Sequence, residues 1–481
     1  MSIAIVLLLV PLLFQSIDDV IGAWRGTVMH EGETRDVIVE FVRKGEKVLT
    51  LFSSPAIHAW RIPYALAERS GNRITAGGMV FDLDSSAGTL TTTLAPDLVP
   101  KYSLRVTLRR VDVVTPPERP PIDAPARAPI WTIDLRAPIW ADIAVEGDTV
   151  FAGTDEGRLH AVDAATGRER WTFTAGGAFR ARPAFLDGDV IVQADDGVLY
   201  RIDGRSGVEK WHRAIAMART RLALNDPASR YENVASGVAV DGRRLYVGTH
   251  EGRVLAIDAR RGAPIWEFKT ADAVVATPVV ARGKVYCGSF DGYVYALDAA
   301  SGAAIWKHDT GGAVTSAVAI RGPLVVVGSR SFDFQALDAA TGAPRWTKYF
   351  WFSWVESPAN VVDSIAYVGS SDAGTVSAID GHDGHAIWST DVQGSAWARP
   401  AVSASTVYEG VTGVLHYIAP HRGALVALER ASGRVAWWYS AKAPDPAPSS
   451  VTPYGFAASV AIGRRFVYAG ALDGVLYAFE K

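Results

Sequence analysis

The chain has 481 residues, of which 49% are apolar and 21% are charged, an ordinary globular composition. This composition excludes a wholly disordered chain, a collagen-like chain and a bundle of membrane spans. The formal net charge of −3 provides no basic field for a polyphosphate, so we expect no nucleic-acid partner. The single cysteine, Cys287, excludes an intramolecular disulfide and lies in a strand-like run, where a small buried side chain is expected.

Residues 1–18 form an apolar N-terminal segment, with an uninterrupted run of non-charged residues from Ile3 to Phe14. This run is too short to cross a bilayer of about 30 Å and has the length of a signal-peptide core. We therefore expect a periplasmic or secreted protein without a transmembrane span. No Lys or Arg precedes the run, so a wrongly assigned start or an uncleaved anchor is the alternative. A lipoprotein is not expected, because no cysteine follows the run.

Residues 20–112 contain runs such as DVIVEFV and LRVTLRRV, in which apolar and polar residues alternate. This period of two predicts a small antiparallel β-sheet or barrel. The opening GAWRGTV around Trp24 and the closing LRRVD resemble the ends of lipocalin-like, calycin-type barrels. Such a barrel either encloses an apolar ligand or has a solid core. Residues 113–128 are rich in proline and predict an extended linker.

Residues 129–481 repeat the pattern apolar-Asp-x-x-x-Gly-x-x-x-Trp, as in ALDAASGAAIW, at intervals of 40 to 55 residues. The apolar period of two, with turns such as Phe290-Asp291-Gly292, indicates four short strands per unit. The last unit lacks its Trp-bearing half, which the chain supplies near residue 131. We therefore predict an all-β fold in which an eight-bladed propeller is closed by an N-terminal strand. The repeat tryptophans are Trp131, Trp171, Trp211, Trp266, Trp306, Trp346, Trp388 and Trp437.

These repeat residues are expected to form the scaffold. The Trp is expected to pack between neighbouring sheets with its indole N–H bonded to a backbone carbonyl. The Gly suits a turn with positive φ, and the Asp can bond the backbone of that turn.

The repeat resembles the tryptophan-docking repeat of the eight-bladed propellers related to pyrroloquinoline-quinone enzymes. This group includes quinoprotein alcohol dehydrogenases and BamB-like outer-membrane assembly factors. For a dehydrogenase, the resemblance implies a calcium ion, an Asp base, a Trp beneath the quinone and two adjacent cysteines above it. The single cysteine cannot supply the last feature. We therefore predict no cofactor and no metal, with the quinone and calcium reserved for the enzymatic alternative.

The mouth of the ring is predicted where each inner strand begins. The candidate ligand-binding residues there are Asp142, Arg182, Glu356 and Arg399. Two arginines among small hydroxylated residues could bind a carboxylate or phosphate, or could pair with Asp142 and Glu356 across a water-filled channel. The aligned positions are Asp142, Arg182, Ser236, Thr277, Ser316, Ser357, Arg399 and Ala458.

Two loops that lead into inner strands are unusual in composition. One carries several arginines, and the other, KYFWFSWVES, is crowded with aromatic residues. Arginine and aromatic side chains on projecting loops are typical of protein-binding surfaces, although the aromatics could instead cap the channel or pack on the first domain. The predicted partner-binding residues are Arg219, Arg221, Tyr349, Phe350, Trp351, Phe352 and Trp354.

These features predict a non-catalytic exported scaffold of the BamB-like kind, monomeric outside a complex, that binds a protein or peptide through the loops leading into the inner strands. A quinone-dependent alcohol or sugar dehydrogenase is the first alternative. A ligand sensor that uses the N-terminal β domain is the second.

Overall fold

The computed structural model describes residues 16–30, 32–94, 104–112, 119–219, 234–414, 421–445 and 452–481. The chain divides into two compact units, Met1–Arg119 and Pro120–Lys481. In the described ranges, helical structure is limited to two short 3-10 helices, Ile17–Val20 and Pro55–Ile57. None of the described helices has the length and apolar character needed to cross a bilayer.

The first unit is a closed antiparallel barrel in which each of eight strands pairs with the next and the last pairs with the first. Along one strand, Met79, Phe81 and Leu83 are buried while the residues between them are exposed, as the alternating sequence predicts. Phe41 and Phe81 meet edge to face, with their ring centroids 5.4 Å apart. The strands are β1 (Gly22–His30), β2 (Glu33–Lys44), β3 (Lys47–Ser54), β4 (Ala59–Ser70), β5 (Arg73–Ala76), β6 (Met79–Asp84), β7 (Thr89–Leu94) and β8 (Leu104–Val111).

The second unit contains eight antiparallel sheets, which we call blades 1 to 8 in chain order. Strand β9 (Trp131–Asp134) precedes blade 1. The first three blades each use four consecutive strands. They are, for blade 1, β10 (Ala144–Glu146), β11 (Thr149–Gly153), β12 (Arg158–Asp163) and β13 (Glu169–Thr174); for blade 2, β14 (Ala184–Leu186), β15 (Asp189–Gln193), β16 (Val198–Asp203) and β17 (Glu209–Ala214); for blade 3, β18 (Val238–Asp241), β19 (Arg244–Gly248), β20 (Arg253–Asp258) and β21 (Pro264–Lys269).

Blades 4 to 6 have the same construction. Their strands are, for blade 4, β22 (Val279–Ala281), β23 (Lys284–Gly288), β24 (Tyr293–Asp298) and β25 (Ala304–Asp309); for blade 5, β26 (Ala319–Arg321), β27 (Leu324–Gly328), β28 (Asp333–Asp338) and β29 (Pro344–Tyr349); for blade 6, β30 (Asn360–Val362), β31 (Ile365–Gly369), β32 (Thr375–Asp380) and β33 (Ala386–Asp391).

Blade 7 has an extra short strand, and blade 8 is assembled from both ends of the unit. The strands of blade 7 are β34 (Ala401–Val402), β35 (Thr406–Gly413), β36 (Ala424–Glu429) and β37 (Val435–Ser440), with β38 (Tyr454–Gly455) paired to β35; those of blade 8 are β39 (Ala461–Ile462), β40 (Phe466–Gly470) and β41 (Val475–Glu480). Strand β9 is the outermost strand of blade 8, with Asp134 opposite Val475 and Trp131 opposite Ala478. The inner strands β10 and β39 are also in contact. The predicted eight-bladed ring closed by an N-terminal strand is therefore confirmed.

The middle strands of each blade are buried on both faces because neighbouring blades cover them. In blade 4, for example, Val285, Tyr286, Cys287 and Gly288 are all buried. Cys287 therefore lies in the core, where burial raises the pKa of its thiol to about 12. A thiol in this position is inert rather than reactive.

The repeat tryptophan of one blade lies on the turn of the next. The indole N–H groups donate to backbone carbonyls at 2.9 to 3.3 Å. The repeat Gly of the receiving turn has φ between 64° and 80° and lies directly under the indole. A Cβ atom there would lie 2.6 to 3.0 Å from the ring. The seven bonds run from Trp131 to Ala164, Trp171 to Gly204, Trp211 to Ala259, Trp266 to Ala299, Trp306 to Ala339, Trp346 to Gly381 and Trp388 to Arg430.

The eighth tryptophan, Trp437, faces blade 8, whose outer two strands β41 and β9 are not joined by a turn. Its ring instead stacks on Phe479 with the ring centroids 5.7 Å apart. The guanidinium of Arg127 covers it at 5.0 Å from the ring centroid. The residues that precede β9 thus take over the role that a turn plays in the other blades.

We predict that Gly302→Ala destabilises the propeller more than Gly283→Ala. Both glycines have a φ near 70°, which costs an alanine about 1–2 kcal/mol. A Cβ at Gly302 would also lie 2.6 Å from the Trp266 ring, whereas nothing lies within 4 Å at Gly283. Overpacking adds about 1–3 kcal/mol to the loss for Gly302→Ala. Denaturant unfolding of both variants measures the difference, and equal losses would contradict docking of the indole on this glycine.

Candidate functional site

The eight inner strands surround a central cavity of about 880 Å³. It is bordered by the loops that lead into the inner strands, which we call the leading loops. The sequence alignment of these positions was wrong by one residue in four blades. The strand pairings place Gly237, Ala317, Pro358 and Ser459, rather than Ser236, Ser316, Ser357 and Ala458, at the positions equivalent to Asp142. The residues at the equivalent positions are Asp142, Arg182, Gly237, Thr277, Ala317, Pro358, Arg399 and Ser459.

Asp142, Arg399 and Ser459 join three blades at one side of the cavity. The backbone N–H of Ser459 donates to Asp142 Oδ1 at 2.7 Å. The Ser459 hydroxyl oxygen accepts the backbone N–H of Arg399 at 2.8 Å. One oxygen of the Asp142 carboxylate thus already accepts a hydrogen bond from the backbone of blade 8, at the point where the ring closes.

Glu356 is engaged by an arginine outside the predicted set. The Arg330 Nε donates to Glu356 Oε1 at 2.7 Å. The Arg330 guanidinium also lies 4.8 Å from the centre of the Trp354 ring and 5.3 Å from that of Phe290. Glu356 is therefore bound within blades 4 to 6, and it makes no ion pair with either channel arginine in the part of the chain that is described.

Arg182 and Arg399 both line the cavity, and neither forms an ion pair with a carboxylate of the described residues. Arg399 Nη2 reaches only the Asn360 side-chain oxygen, at 3.5 Å. Its Nε is enclosed and has no hydrogen-bond partner among those residues. Burial, followed by the charge of Arg182, lowers the pKa of Arg399, while Asp142 raises it. The two arginines are therefore close enough to repel each other.

The aromatic loop between blades 5 and 6 is mostly folded in on itself. Tyr349, Phe350 and Trp351 are buried, with only 5 to 7% of each residue exposed. Phe352 and Trp354 are half-buried. The Trp351 and Phe352 rings meet edge to face at 4.9 Å. Of the predicted partner-binding aromatics, Phe352 and Trp354 retain the surface with which a partner could make contact.

Phe332 anchors this loop, and the sequence analysis did not select it. It stands where blades 1 to 4, 6 and 8 have the glycine of the turn between the second and third strands, and its φ of 67° is left-handed. Its ring packs against Tyr349 at 6.2 Å and Phe352 at 6.0 Å. The missing glycine in SRSFD was the available signal. A positive φ is an unfavourable backbone conformation for a bulky residue, and the packing of the aromatic rings holds Phe332 in it.

A buried ion-pair cluster links blades 1 to 3. Arg180 lies between Asp155, at 2.7 Å, and Asp195, at 2.6 Å. Arg219, a predicted partner-binding residue, reaches the same Asp195 at 3.2 Å. Burial lowers the pKa of neighbouring His250 to about 4, with the Arg219 charge as the second cause. Arg219 therefore supports the scaffold, while Arg221 lies outside the described residues.

The segment that precedes β9 pairs with the outer edge of blade 7, a contact not foreseen from the sequence. Trp438 donates its indole N–H to the Ala124 carbonyl at 3.1 Å. Arg127 N donates to the Trp438 carbonyl at 2.8 Å, and Ala126 and Trp438 form a parallel bridge. The doubled tryptophan in VAWWYS, found in no other repeat, was the signal.

Glu409 on β35 is the most unusual titratable residue near the channel. It is fully buried, and neither carboxyl oxygen has a hydrogen-bond partner in the described chain. Burial, assisted by the charge of Asp142, raises the pKa of Glu409 well above its usual value. The side chain is therefore neutral over a pH range in which an exposed glutamate is charged.

Comparisons with known proteins agree with this architecture. The family model described as the outer membrane protein assembly factor BamB matches residues 121–231, 218–312 and 290–481. The structure of BamB from Moraxella catarrhalis is 18% identical, covers 72% of this chain and 96% of its own, and has a TM-score of 0.51. The quinohemoprotein alcohol dehydrogenase ADHIIG from Pseudomonas putida HK5 is 13% identical, with coverages of 73% and 76% and a TM-score of 0.55.

A second comparison gives a local sequence match to one enzyme. The quinohemoprotein alcohol dehydrogenase ADH IIB from Pseudomonas putida is 35% identical over 75 residues. The match covers 15% of this chain and a tenth of that relative. The similar structures share the fold alone at these identities, so the comparisons leave scaffold and dehydrogenase both open.

Trp351→Ala is expected to destabilise the propeller by about 3–5 kcal/mol, because it removes a large buried ring from the aromatic cluster. Phe352→Ala, at a half-buried position, is the control and should lose less. Chemical denaturation followed by far-UV circular dichroism measures both. A negligible loss for Trp351→Ala would contradict the packing role of this ring.

Glu409→Gln is expected to stabilise the protein at neutral pH. The folded state keeps the Glu409 proton above the pH at which the unfolded state releases it. The stability of the wild type therefore falls as pH rises from the ordinary glutamate pKa towards the raised one, by at most about 1.4 kcal/mol per pH unit. Melting temperatures from pH 4 to 9 should show a gap between variant and wild type that grows with pH. A gap independent of pH would mean that Glu409 is charged in the folded state.

Proposed function

Because the chain belongs to the family of the outer membrane protein assembly factor BamB, we propose that it is a non-catalytic exported propeller that binds a protein or peptide partner through its leading loops. The repeat positions are used for packing between blades, so they are not available for chemistry. The leading loops carry departures from the repeat, including Trp354 and Arg399, and Arg330 contacts Trp354 from the turn between β27 and β28. Binding surfaces on rigid scaffolds are characteristically built from such loops.

The oxygen ligands that the described residues place around the cavity do not fit the calcium ion that a quinone dehydrogenase requires. Calcium takes about six to eight oxygen ligands from converging carboxylates and carbonyls. Asp142 and Glu356 belong to blades 1 and 6, and each is bonded to a group of this chain. Among the described residues, three potential metal ligands meet within 4.8 Å only at Asp380, Asp383 and His385, in the turn between β32 and β33.

That turn lies on the opposite face of the propeller from the leading loops. In an antiparallel four-stranded blade, the turn between the third and fourth strands is at the end of the sheet away from the start of the next blade. Asp380 also receives the backbone N–H of His382, and Asp383 that of His385, so these carboxylates serve the turn itself. The observation that carries the proposal is that the two carboxylates lining the cavity, Asp142 and Glu356, lie in different blades and are each bonded to a group of this chain.

The proposal is tested by capture of a partner on the tagged full-length protein from envelope extracts, with bound proteins identified by mass spectrometry. Trp354→Ser removes a half-buried indole from a leading loop. Ile305→Ser is the matched control, because Ile305 is 45% exposed on the outer strand of blade 4. We expect Trp354→Ser to weaken capture several-fold and Ile305→Ser to leave it unchanged. Equal loss in both variants would show that the leading loops are not the contact.

The enzymatic alternative requires a separate assay. The protein is incubated with pyrroloquinoline quinone and calcium, and reduction of an artificial electron acceptor is followed with alcohols and sugars. We expect no substrate-dependent reduction. Turnover that depends on both quinone and calcium would overturn the non-catalytic assignment.

A further inference from the structure

The cavity wall holds more hydrogen-bond donors than its own acceptors satisfy. In the described part of the chain, the enclosed Arg399 Nε and Trp140 Nε1 have no partner, and both residues line the cavity. Leaving a buried donor unpaired costs about 1–3 kcal/mol, and more for a charged group. An acceptor bound in the cavity would remove this cost once the two side chains turn these N–H groups towards it.

The charges around the cavity also favour a negatively charged acceptor. Arg182 and Arg399 carry two positive charges, and Asp142 is the carboxylate that acts on Arg399. Glu356 is paired with Arg330, and Glu409 is held neutral by burial. The wall near blades 7, 8, 1 and 2 therefore carries an excess of positive charge, in a protein whose formal net charge is −3.

The shape of the site argues for a large ligand. A cavity of about 880 Å³ is in the range that encloses most of a drug-sized molecule. A single small ion would leave most of this volume empty. An extended peptide could lay several residues into the cavity and present one acidic group to the arginines.

We propose that the mouth of the channel binds a carboxylate between Arg399 and Arg182, with Trp140 as a neutral donor, and that this carboxylate belongs to an acidic peptide segment of a protein partner. The guanidinium of Arg399 can engage a carboxylate through two parallel N–H groups. Arg182, which is exposed at the rim, attracts the acidic segment. This inference rests on the proposed binding function and names the chemistry of the partner at the same face.

The test measures binding of two blocked hexapeptides, one alternating glutamate and glycine and the other alternating glutamine and glycine, to the full-length protein by isothermal titration calorimetry. Citrate and succinate form a third arm. We expect the glutamate peptide to bind more tightly than the glutamine peptide, with an affinity that falls as salt rises. Equal binding of the two peptides, or no binding of either, would overturn the carboxylate site.

The variants assign the contact. Arg399→Gln should weaken binding of the glutamate peptide by about tenfold or more, which is the loss of affinity expected when a hydrogen bond to a charged group is removed. Arg182→Gln should weaken binding of the same peptide several-fold. Because Arg182 is exposed, this variant tests the site even if Arg399→Gln fails to fold. Arg136→Gln is the matched control, because it removes the same charge from an exposed residue in the loop before blade 1, outside the cavity lining. Loss of binding in the control alone, or in none of the variants, would contradict the assignment.

The remaining measurements distinguish a free carboxylic acid from an acidic peptide as the ligand. They also distinguish failure of the carboxylate site from failure of the proposed function. Binding of citrate or succinate with no binding of the glutamate peptide would assign the site to free carboxylic acids and overturn the peptide. Capture of a partner that depends on Trp354 but not on Arg399 would overturn the carboxylate site and leave the proposed function standing. Charge-selective peptide binding without any captured partner would support the site while removing the support for a protein-binding role.

Discussion

The propeller depends on one contact repeated around the ring, the docking of a tryptophan on the glycine turn of the next blade. The indole fills the space that the Cβ of any residue other than glycine would need, and its N–H donates to a carbonyl of the turn. Each blade is therefore completed by its neighbour, and an open row of blades would leave an undocked tryptophan and an uncovered turn at its ends. Closure through β9 removes both ends, and Arg127 covers the one tryptophan that has no turn to meet.

Because this contact fixes the Asp, Gly and Trp positions, chemistry is confined to the positions where the repeat is broken. Phe332 replaces a turn glycine and organises the aromatic loop. Trp438 follows the repeat tryptophan of blade 7 and binds the segment before β9. Arg399 occupies a leading-loop position at which most other blades have small or hydroxylated residues. Departures from local rules that the surrounding structure maintains are the positions at which function is expected.

The channel also shows how burial distributes charge. Glu356 is neutralised by Arg330. Glu409 has no hydrogen-bond partner among the described residues and holds its proton, so neither carboxyl group provides a counter-charge for Arg399. Asp142 is shared with the backbone of blade 8. What remains is a polar cavity with excess hydrogen-bond donors, which is suited to binding an acceptor group. The described residues around it do not form the converging set of carboxylates that a hard cation needs. The non-catalytic proposal and the carboxylate proposal both follow from this distribution.

The sequence alone determined the all-β class, the eight blades and the closure by residues 131–134, because Asp, Gly and Trp recur at a spacing that only one ring satisfies. It also identified Asp142, Arg182 and Arg399 as lining the mouth, since equivalent positions of a repeat meet at one place. It did not determine the partners of those side chains, which come from other blades: Arg330 for Glu356 and Ser459 for Asp142. Nor did it show that Tyr349, Phe350 and Trp351 would be buried, because composition describes how apolar a loop is and only packing decides which of its rings face solvent.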